Sequence, residues 1–388
     1  NFHRFPPQKI KDERQEEFTM NASNVYFTNM RVKPGDSLQK KLTRLITAAG
    51  MGKIHFEDQF AAIKMHFGEL GNLAFLRHQY AKTIADFVKS QGGKPFLTDA
   101  NTLYVGGRKN ALEHLDTAYL NGFSPLQTGC QILIADGLKG TDEVLVPVEG
   151  GEYVKEAKVA RALMDADVII SLTHFKVHES TGIGGTLKNI GMGGGSRAGK
   201  MEMHSAGKPL TDSEKCIGCG RCTKVCAHHA ITVTNKKAAI DHEKCVGCGR
   251  CIGVCPKDAI CAANDEVEEI LNKKIVEYSW AILHNRPQFH ISLVVSVSPY
   301  CDCHEENDTP VVPDVGMFAS FDPIALDQAC ADAVNQQIIL PGSELDGKAK
   351  QGDDYFTALF PNCSWRTQIA HGEKMGLGTK EYHLITVK

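Results

Sequence analysis

DADVIISLTHFKVHESTGIGG, residues 165–185, sets an apolar, β-branched run directly against a polar segment carrying His174, Lys176, His178 and Glu179. A short apolar run of this kind fits a strand buried on both faces, and the polar residues fall where such a strand leaves its sheet. The same order, apolar run then polar end, recurs at FAAIKMHF (60–67), KPFLTDA (94–100) and CQILIADG (130–137). Between these runs lie amphipathic stretches that read as helices: LQKKLTRLITAAG (38–50), LAFLRHQYAKTIADFVKSQGG (73–93), GRKNALEHLDTAYLNG (107–122) and YVKEAKVARALMDA (153–166). Several end in the glycine of a left-handed cap. Strands alternating with helices predict an α/β fold, a mostly parallel sheet flanked by helices.

After about residue 205 this periodicity gives way to Cys, Gly and Lys, and after about 263 it returns. DEVEEILNKKIVEYSWAILHN (265–285) reads as a helix, HISLVVSVSP (290–299) and VGMFAS (315–320) as strands. DPIALDQACADAVNQQI (322–338) reads as a helix with Asp322 as N-cap and Pro323 in its first turn. The expected organisation is a tail or added extension over 1–19, an α/β domain in two parts over 20–205 and 263–388, and a small α+β domain inserted at 206–262. Two independent domains are the alternative.

The inserted segment holds CIGCGRCTKVC, with Cys216, Cys219, Cys222 and Cys226, and CVGCGRCIGVCP, with Cys245, Cys248, Cys251 and Cys255. Each run is C-x2-C-x2-C-x3-C. In the bacterial two-cluster pattern the first three cysteines of a run hold one iron–sulfur cluster and the fourth crosses to the other. That pattern assigns Cys216, Cys219, Cys222 and Cys255 to one [4Fe-4S] cluster, and Cys226, Cys245, Cys248 and Cys251 to the second. The segment resembles two-[4Fe-4S] bacterial ferredoxins over roughly 207–262, departing at Ala227, where that family commonly has proline. Zinc knuckles are the competing reading of paired C-x2-C motifs. Cys261 fits neither set and is expected to serve packing.

Composition narrows the setting. Lys and Arg total 43 against 46 Asp and Glu, a formal charge of -3, which gives no field to attract nucleic acid or an anionic membrane. No run reaches the roughly 18–20 apolar residues of a membrane span. Fourteen cysteines in a chain expected to be cytoplasmic point to thiolate and metal chemistry rather than disulfides.

In open parallel sheets ligands bind beyond the carboxyl ends of the strands. Those ends carry Lys64, His66, Glu69 and Asn72; Asp99, Asn101 and Thr102; Asp136 and Lys139; and His174, Lys176, His178 and Glu179. CDCH adds Cys301, Asp302, Cys303 and His304, and Asp314 follows. Converging, these residues would bind an anion and move protons. The CDCH thiols suit an additional metal, a redox-active pair or inert burial. Further on, GMGGGSRAGK places Gly194, Gly199 and Lys200 as a phosphate loop would, but Met201 replaces the required hydroxyl. A flexible loop bearing Lys188, Arg197 and Lys200, able to cradle an anionic cofactor or substrate, remains, with a plain linker as its alternative.

THFKVHESTGIGGTLKNIGMGGGSRAGKMEMH (173–204), the paired cysteine runs, CDC and VPDVGMFASFDPIALD (312–327) together resemble the DUF362 family of ferredoxin-containing proteins of anaerobic bacteria and archaea. The likeness extends from about residue 22 onward and maps the family's motifs onto Lys176, His178, Lys188, Asn189, Cys301, Cys303, Asp314, Asp322 and Asp327. It implies clusters and architecture but no substrate. The expected activity is that of an iron–sulfur oxidoreductase taking single electrons from a low-potential donor protein to a small anionic substrate. Lys64, Lys176 and Lys188 would bind charge, His66, His174 or His178 would supply protons, and Cys301 and Cys303 would bind a metal or react. A non-catalytic electron-transfer or maturation protein that docks a partner is the alternative.

Overall fold

The computed structural model describes residues 22–104, 106–204, 208–262 and 267–388. The expected tail over 1–19 lies outside them. A central sheet of eight strands comprises β1 (Ser23–Asn29), β2 (Phe60–Lys64), β3 (Lys94–Asp99), β4 (Gln131–Ile134), β5 (Val168–His174), β6 (Gln288–Val294), β7 (Gly316–Ser320) and β8 (Tyr382–Thr386), in the order β8-β1-β7-β6-β5-β2-β3-β4. Only β7 runs against the others. The fold is therefore α/β with a mostly parallel sheet, as the alternating runs predict. From β2 the chain moves outward to β3 and β4, then returns to place β5 on the opposite side of β2. This reversal opens a crevice at the carboxyl ends of β2 and β5.

Both faces of the sheet are apolar. Ala61, Ile63, Leu97, Val168 and Ile170 pack beneath α1 (Leu38–Ala48) and α2 (His78–Ser90), while Ala62, Phe96 and Ile169 face the core on the other side. A third helix, α3 (Ala111–Leu120), follows β3. The second face is covered by α4 (Thr186–Gly194), α6 (Glu268–Leu283) and α7 (Pro323–Asn335), with α5 (Arg197–His204) next to α4 in sequence. Asp322 does cap α7, accepting from the N–H groups of Ile324 at 2.8 Å and Ala325 at 2.9 Å.

Two local expectations are corrected. YVKEAKVARALMDA is not one helix: Glu156–Ala160 is a strand paired with Glu143–Pro147, and only Arg161–Asp165 is helical. The hairpin partner and the alternate burial of Ala157 and Val159 outweigh the helical spacing. The glycine-rich stretch is likewise not a flexible loop but two buried helices, α4 and α5. Its glycines serve close packing. A Cβ on Gly191 would run into the Ile275 carbonyl oxygen of α6, and one on Gly194 would lie 2.5 Å from Ile282 Cδ1. Strand β1 and the edge strand β8, which the helix and strand patterns do not single out, extend the sheet beyond β7.

The Cys-rich segment supplies no strand to this sheet, although the chain on both sides of it does. It folds into two ribbons, Pro209–Thr211 with Ile260–Ala262 and Ile231–Thr234 with Lys237–Ile240, and two short helices, Arg221–Val225 and Arg250–Gly253.

The α4–α6 contact yields a test. Gly191→Ala improves helix propensity by up to about 1 kcal/mol, yet it forces a methyl group against backbone that cannot yield. We expect net destabilisation of about 1–3 kcal/mol, seen as a lower urea midpoint. A raised midpoint would show that the helices are free to separate.

Candidate functional site

Beyond the carboxyl ends of β2, β3 and β5 lies a cavity of about 490 Å³. Lys64, His66, His174, Lys176, His178 and Lys188 all line it, as do Cys301, Cys303 and His304. Lys64, Asp99 and His174 are the last residues of their strands, so their side chains reach the cavity where the sheet ends. Lys188 and Asn189 stand in the first turns of α4, whose leading N–H groups, from Thr186 and Leu187, donate to the buried Asp327 carboxylate at 2.7 and 2.9 Å. Burial raises Asp327 to about 6. Its part is to anchor the helix that presents Lys188.

The charges are interlocked. Lys64 Nζ lies 2.9 Å from Asp99 and donates to Asn189 Oδ1 at 3.0 Å. Arg108 pairs with Glu69 at 3.1 Å and stands 3.6 Å from Asp99. Lys176 lies 3.0 Å from Asp302, which also meets His174 Nδ1 at 2.9 Å. Burial pushes Asp302 upward, but the charges of His174 and Lys176 outweigh it and hold the carboxyl well below its usual range.

The three histidines differ in what they can do. His66 faces donors at both ring nitrogens, Gly68 N at 3.0 Å and Arg108 Nη1 at 2.8 Å, and burial and the Arg108 charge push its pKa well down. The neutral ring is thereby favoured, and it can accept at only one of these nitrogens because the other carries its hydrogen. His174 is engaged on both sides by acceptors, Asp302 and the Val295 carbonyl at 2.8 Å, so it positions Asp302. His178 accepts the Ser180 N–H on Nδ1 at 3.1 Å, turns Nε2 to within 3.7 Å of Glu179, and has a ring nitrogen within 4.8 Å of the Cys301 and Cys303 sulfurs.

Cys301 is buried and Cys303 half-buried. A hydrogen bond from Cys303 lowers the Cys301 thiol well below its ordinary range; burial opposes this, while Lys188, 3.5 Å away, and His178 reinforce it. The same bond and burial raise Cys303. Of the two, Cys301 is thus the one favoured as a thiolate. His178, Cys301 and Cys303 place ligand atoms within 4.8 Å of one another, as do Glu179, Cys303 and His304, so this cysteine-rich group could hold a metal ion. Glu179 also binds His304 at 2.9 Å.

The Cys-rich segment roofs the cavity through Ile252, Asp258, Ile260, Cys261 and Ala262. Cys261 is exposed and lines this space, contrary to the packing role expected for it. Ile260 also borders a second, smaller cavity, lined by Cys216, Cys219, Cys222 and Cys255. Cysteines from the two runs therefore face one space. Peptide N–H groups of Ala238, Ala230 and Ala259 donate to the sulfurs of Cys216, Cys226 and Cys255 at 3.3, 3.3 and 3.2 Å. The turn at Gly218 has φ 66°, and a Cβ there would strike the Lys236 backbone. These thiols, donors and turns fit an iron–sulfur cluster.

Other expected positions lie apart. Arg197 is buried away from the cavity wall, its guanidinium bonded to the Lys139 and Lys109 carbonyls and packed against Gly249 and Gly253 of the second cysteine run. Asp136 is buried against Asn101, and Asp314 accepts from Ser296 N at 2.7 Å. Sequence reading missed Arg108 and Tyr104, which are bonded to each other and line the cavity. Placing the helix start at Gly107 concealed Arg108; the signal was Asn110, whose side chain caps Leu112 and Glu113 and leaves Arg108 in the preceding loop.

A family model described as a domain of unknown function, DUF362, matches residues 61–332. The chain belongs to this family. The DUF362 match begins in β2 and ends in α7, so it takes in the cavity and the Cys-rich segment. None of the curated proteins matches. Among solved structures, a Thermotoga maritima protein is similar at 15% identity and TM-score 0.36, over 66% of this chain and 49% of its own. The lactate racemase apoprotein of Thermoanaerobacterium thermosaccharolyticum is similar at 10% identity and TM-score 0.34, over 70% of this chain and 51% of its own. The chain spans about half the length of these structures. Among the described residues no helix is long and apolar enough to cross a membrane.

Lys200 gives the cavity a pH signature. Burial brings it down to about 8, partly offset by Asp136 and Asp99, while Lys64 and Arg197 push the same way as burial. Its charge is present below that pH and lost above it. Sulfate binding, followed by calorimetry, is expected to weaken about tenfold from pH 7 to pH 9, and Lys200→Met should remove the inflection near 8. An affinity independent of pH would exclude Lys200 from the anion site.

Proposed function

We propose that the protein is a cytoplasmic iron–sulfur oxidoreductase that passes single electrons between a low-potential protein partner and a small anionic substrate held in the large cavity. The observation that carries this reading is the cavity shared by Cys216, Cys219, Cys222 and Cys255, with Ile260 as a common wall to the larger one. Two [4Fe-4S] clusters, the second held by Cys226, Cys245, Cys248 and Cys251, supply one-electron transfer when bound.

The chain's own residues do the rest. N–H groups directed at the cysteine sulfurs favour the thiolate form that ligation needs. Lys64, Lys176, Lys188, Lys200 and Arg108 draw an anion into the cavity, and Asp99, Asp302 and Glu69 hold Lys64, Lys176 and Arg108 in place. Leu103, Leu172 and Met192 furnish apolar wall that limits water. Ile217 and Val246, each 54% exposed and each following the first cysteine of a run, give the electron-transfer partner an apolar place to dock. So many polar groups converging on one cavity support an enzyme over a docking protein.

Protein purified anaerobically should carry about eight irons and matching acid-labile sulfide. Cys255→Ser should reduce this to about four irons and spare the cluster assigned to Cys245. Loss of the Cys245 cluster alone would overturn the crossed ligation, and zinc without sulfide would overturn the electron-transfer reading.

A further inference from the structure

The CDC pair has an arrangement that the electron-transfer reading leaves unused. Lys188 Nζ donates to Cys301 Sγ at 3.5 Å, and a ring nitrogen of His178 and the Cys303 sulfur lie within 4.8 Å of it. The two sulfurs, one residue apart in the chain, are thus placed to act together. Both sulfurs line the cavity, so a bound molecule can reach them.

We propose that Cys301 and Cys303 are a dithiol–disulfide couple that accumulates two single electrons and hands them as a pair to a small anionic disulfide. The source of the single electrons rests on the function proposed above. In the charging half, the Cys301–Cys303 disulfide takes two electrons, delivered one at a time through the Cys-rich segment, and one proton; its S–S bond breaks to give the Cys301 thiolate and the Cys303 thiol. In the discharging half, the Cys301 thiolate attacks one sulfur of the substrate, whose S–S bond breaks and expels a thiolate. Cys303 gives its proton to that leaving thiolate and attacks Cys301, closing the protein disulfide and releasing the second half as a thiolate. Substrate disulfide plus thiolate and thiol thus become protein disulfide plus one thiol and one thiolate, and charge and hydrogens balance. The surrounding lysines select the anionic disulfide: Lys188 touches Cys301, and Lys64 and Lys176 line the same wall.

The test uses the full chain, prepared anaerobically and reduced, and two disulfides of similar size, anionic dithiodiglycolate and neutral bis(2-hydroxyethyl) disulfide. After each exposure free thiols are alkylated with iodoacetamide and the peptide carrying Cys301 and Cys303 is weighed. Dithiodiglycolate should close the pair at least tenfold faster than the neutral compound. Cys303→Ser should stop at a thioglycolate adduct on Cys301, and reduced methyl viologen should reopen the wild-type disulfide. Equal rates for the two compounds, a pair that stays fully alkylated, or stoichiometric metal lost on Cys301→Ser would each overturn the couple. Iron and sulfide measured on the same sample separate the two readings. A pair that never closes in protein holding both clusters sinks only the couple, whereas closure in protein without sulfide sinks only the cluster reading.

Discussion

The site depends on burying several cations at the end of a sheet without leaving any of them alone. A buried charge stripped of its partner costs about 3–5 kcal/mol, and Lys64 and Arg108 are almost fully enclosed. Asp99 answers both of them, at 2.9 and 3.6 Å, Glu69 takes the free side of Arg108, and Asp302 takes Lys176. Each acid comes from a different loop or strand end. The charge balance therefore fixes how the loops after β2 and β3 and the CDCH segment lie against each other, and the cavity is the space left between them.

The second requirement is reach. Lys188 meets Cys301 only because α4 lies deep in the molecule, against α6 on one side and Lys64 on the other. Gly191 and Gly194 admit α6, and Gly193 leaves room for the Lys64 ammonium, which a Cβ would approach to 2.5 Å. Asp327 on α7 then satisfies the helix's first N–H groups. A run of small residues that resembles a nucleotide loop is thus a packing surface. The Asp327 of the family motif acts through helix placement and lines no part of the cavity among the described residues.

The Cys-rich segment joins these parts by covering the cavity rather than by entering the sheet. Its Ile260 separates a space walled by cysteines from a space walled by lysines. For the electron transfer proposed above, Ile260 is a boundary common to both spaces. Arg197, expected to meet an anion, instead braces Gly249 and Gly253 under the second run.

Local pattern was enough for the α/β class, the strands that carry Lys64, Asp99 and His174, the Asp322 cap and the two spaced cysteine runs, because each is written in a few consecutive residues: apolar periodicity, a capping side chain, a ligand spacing. It failed where long-range contact outweighed local preference. Residues 156–160 became a strand because a partner strand waited for them, the glycine-rich stretch proved helical with its glycines admitting α6, and Arg108 entered the site because its loop folds back onto Glu69. The roles of the histidines were beyond sequence altogether. His66, His174 and His178 look alike in one dimension, and only the tertiary structure decides that one faces donors, one faces acceptors and one stands beside the CDC sulfurs.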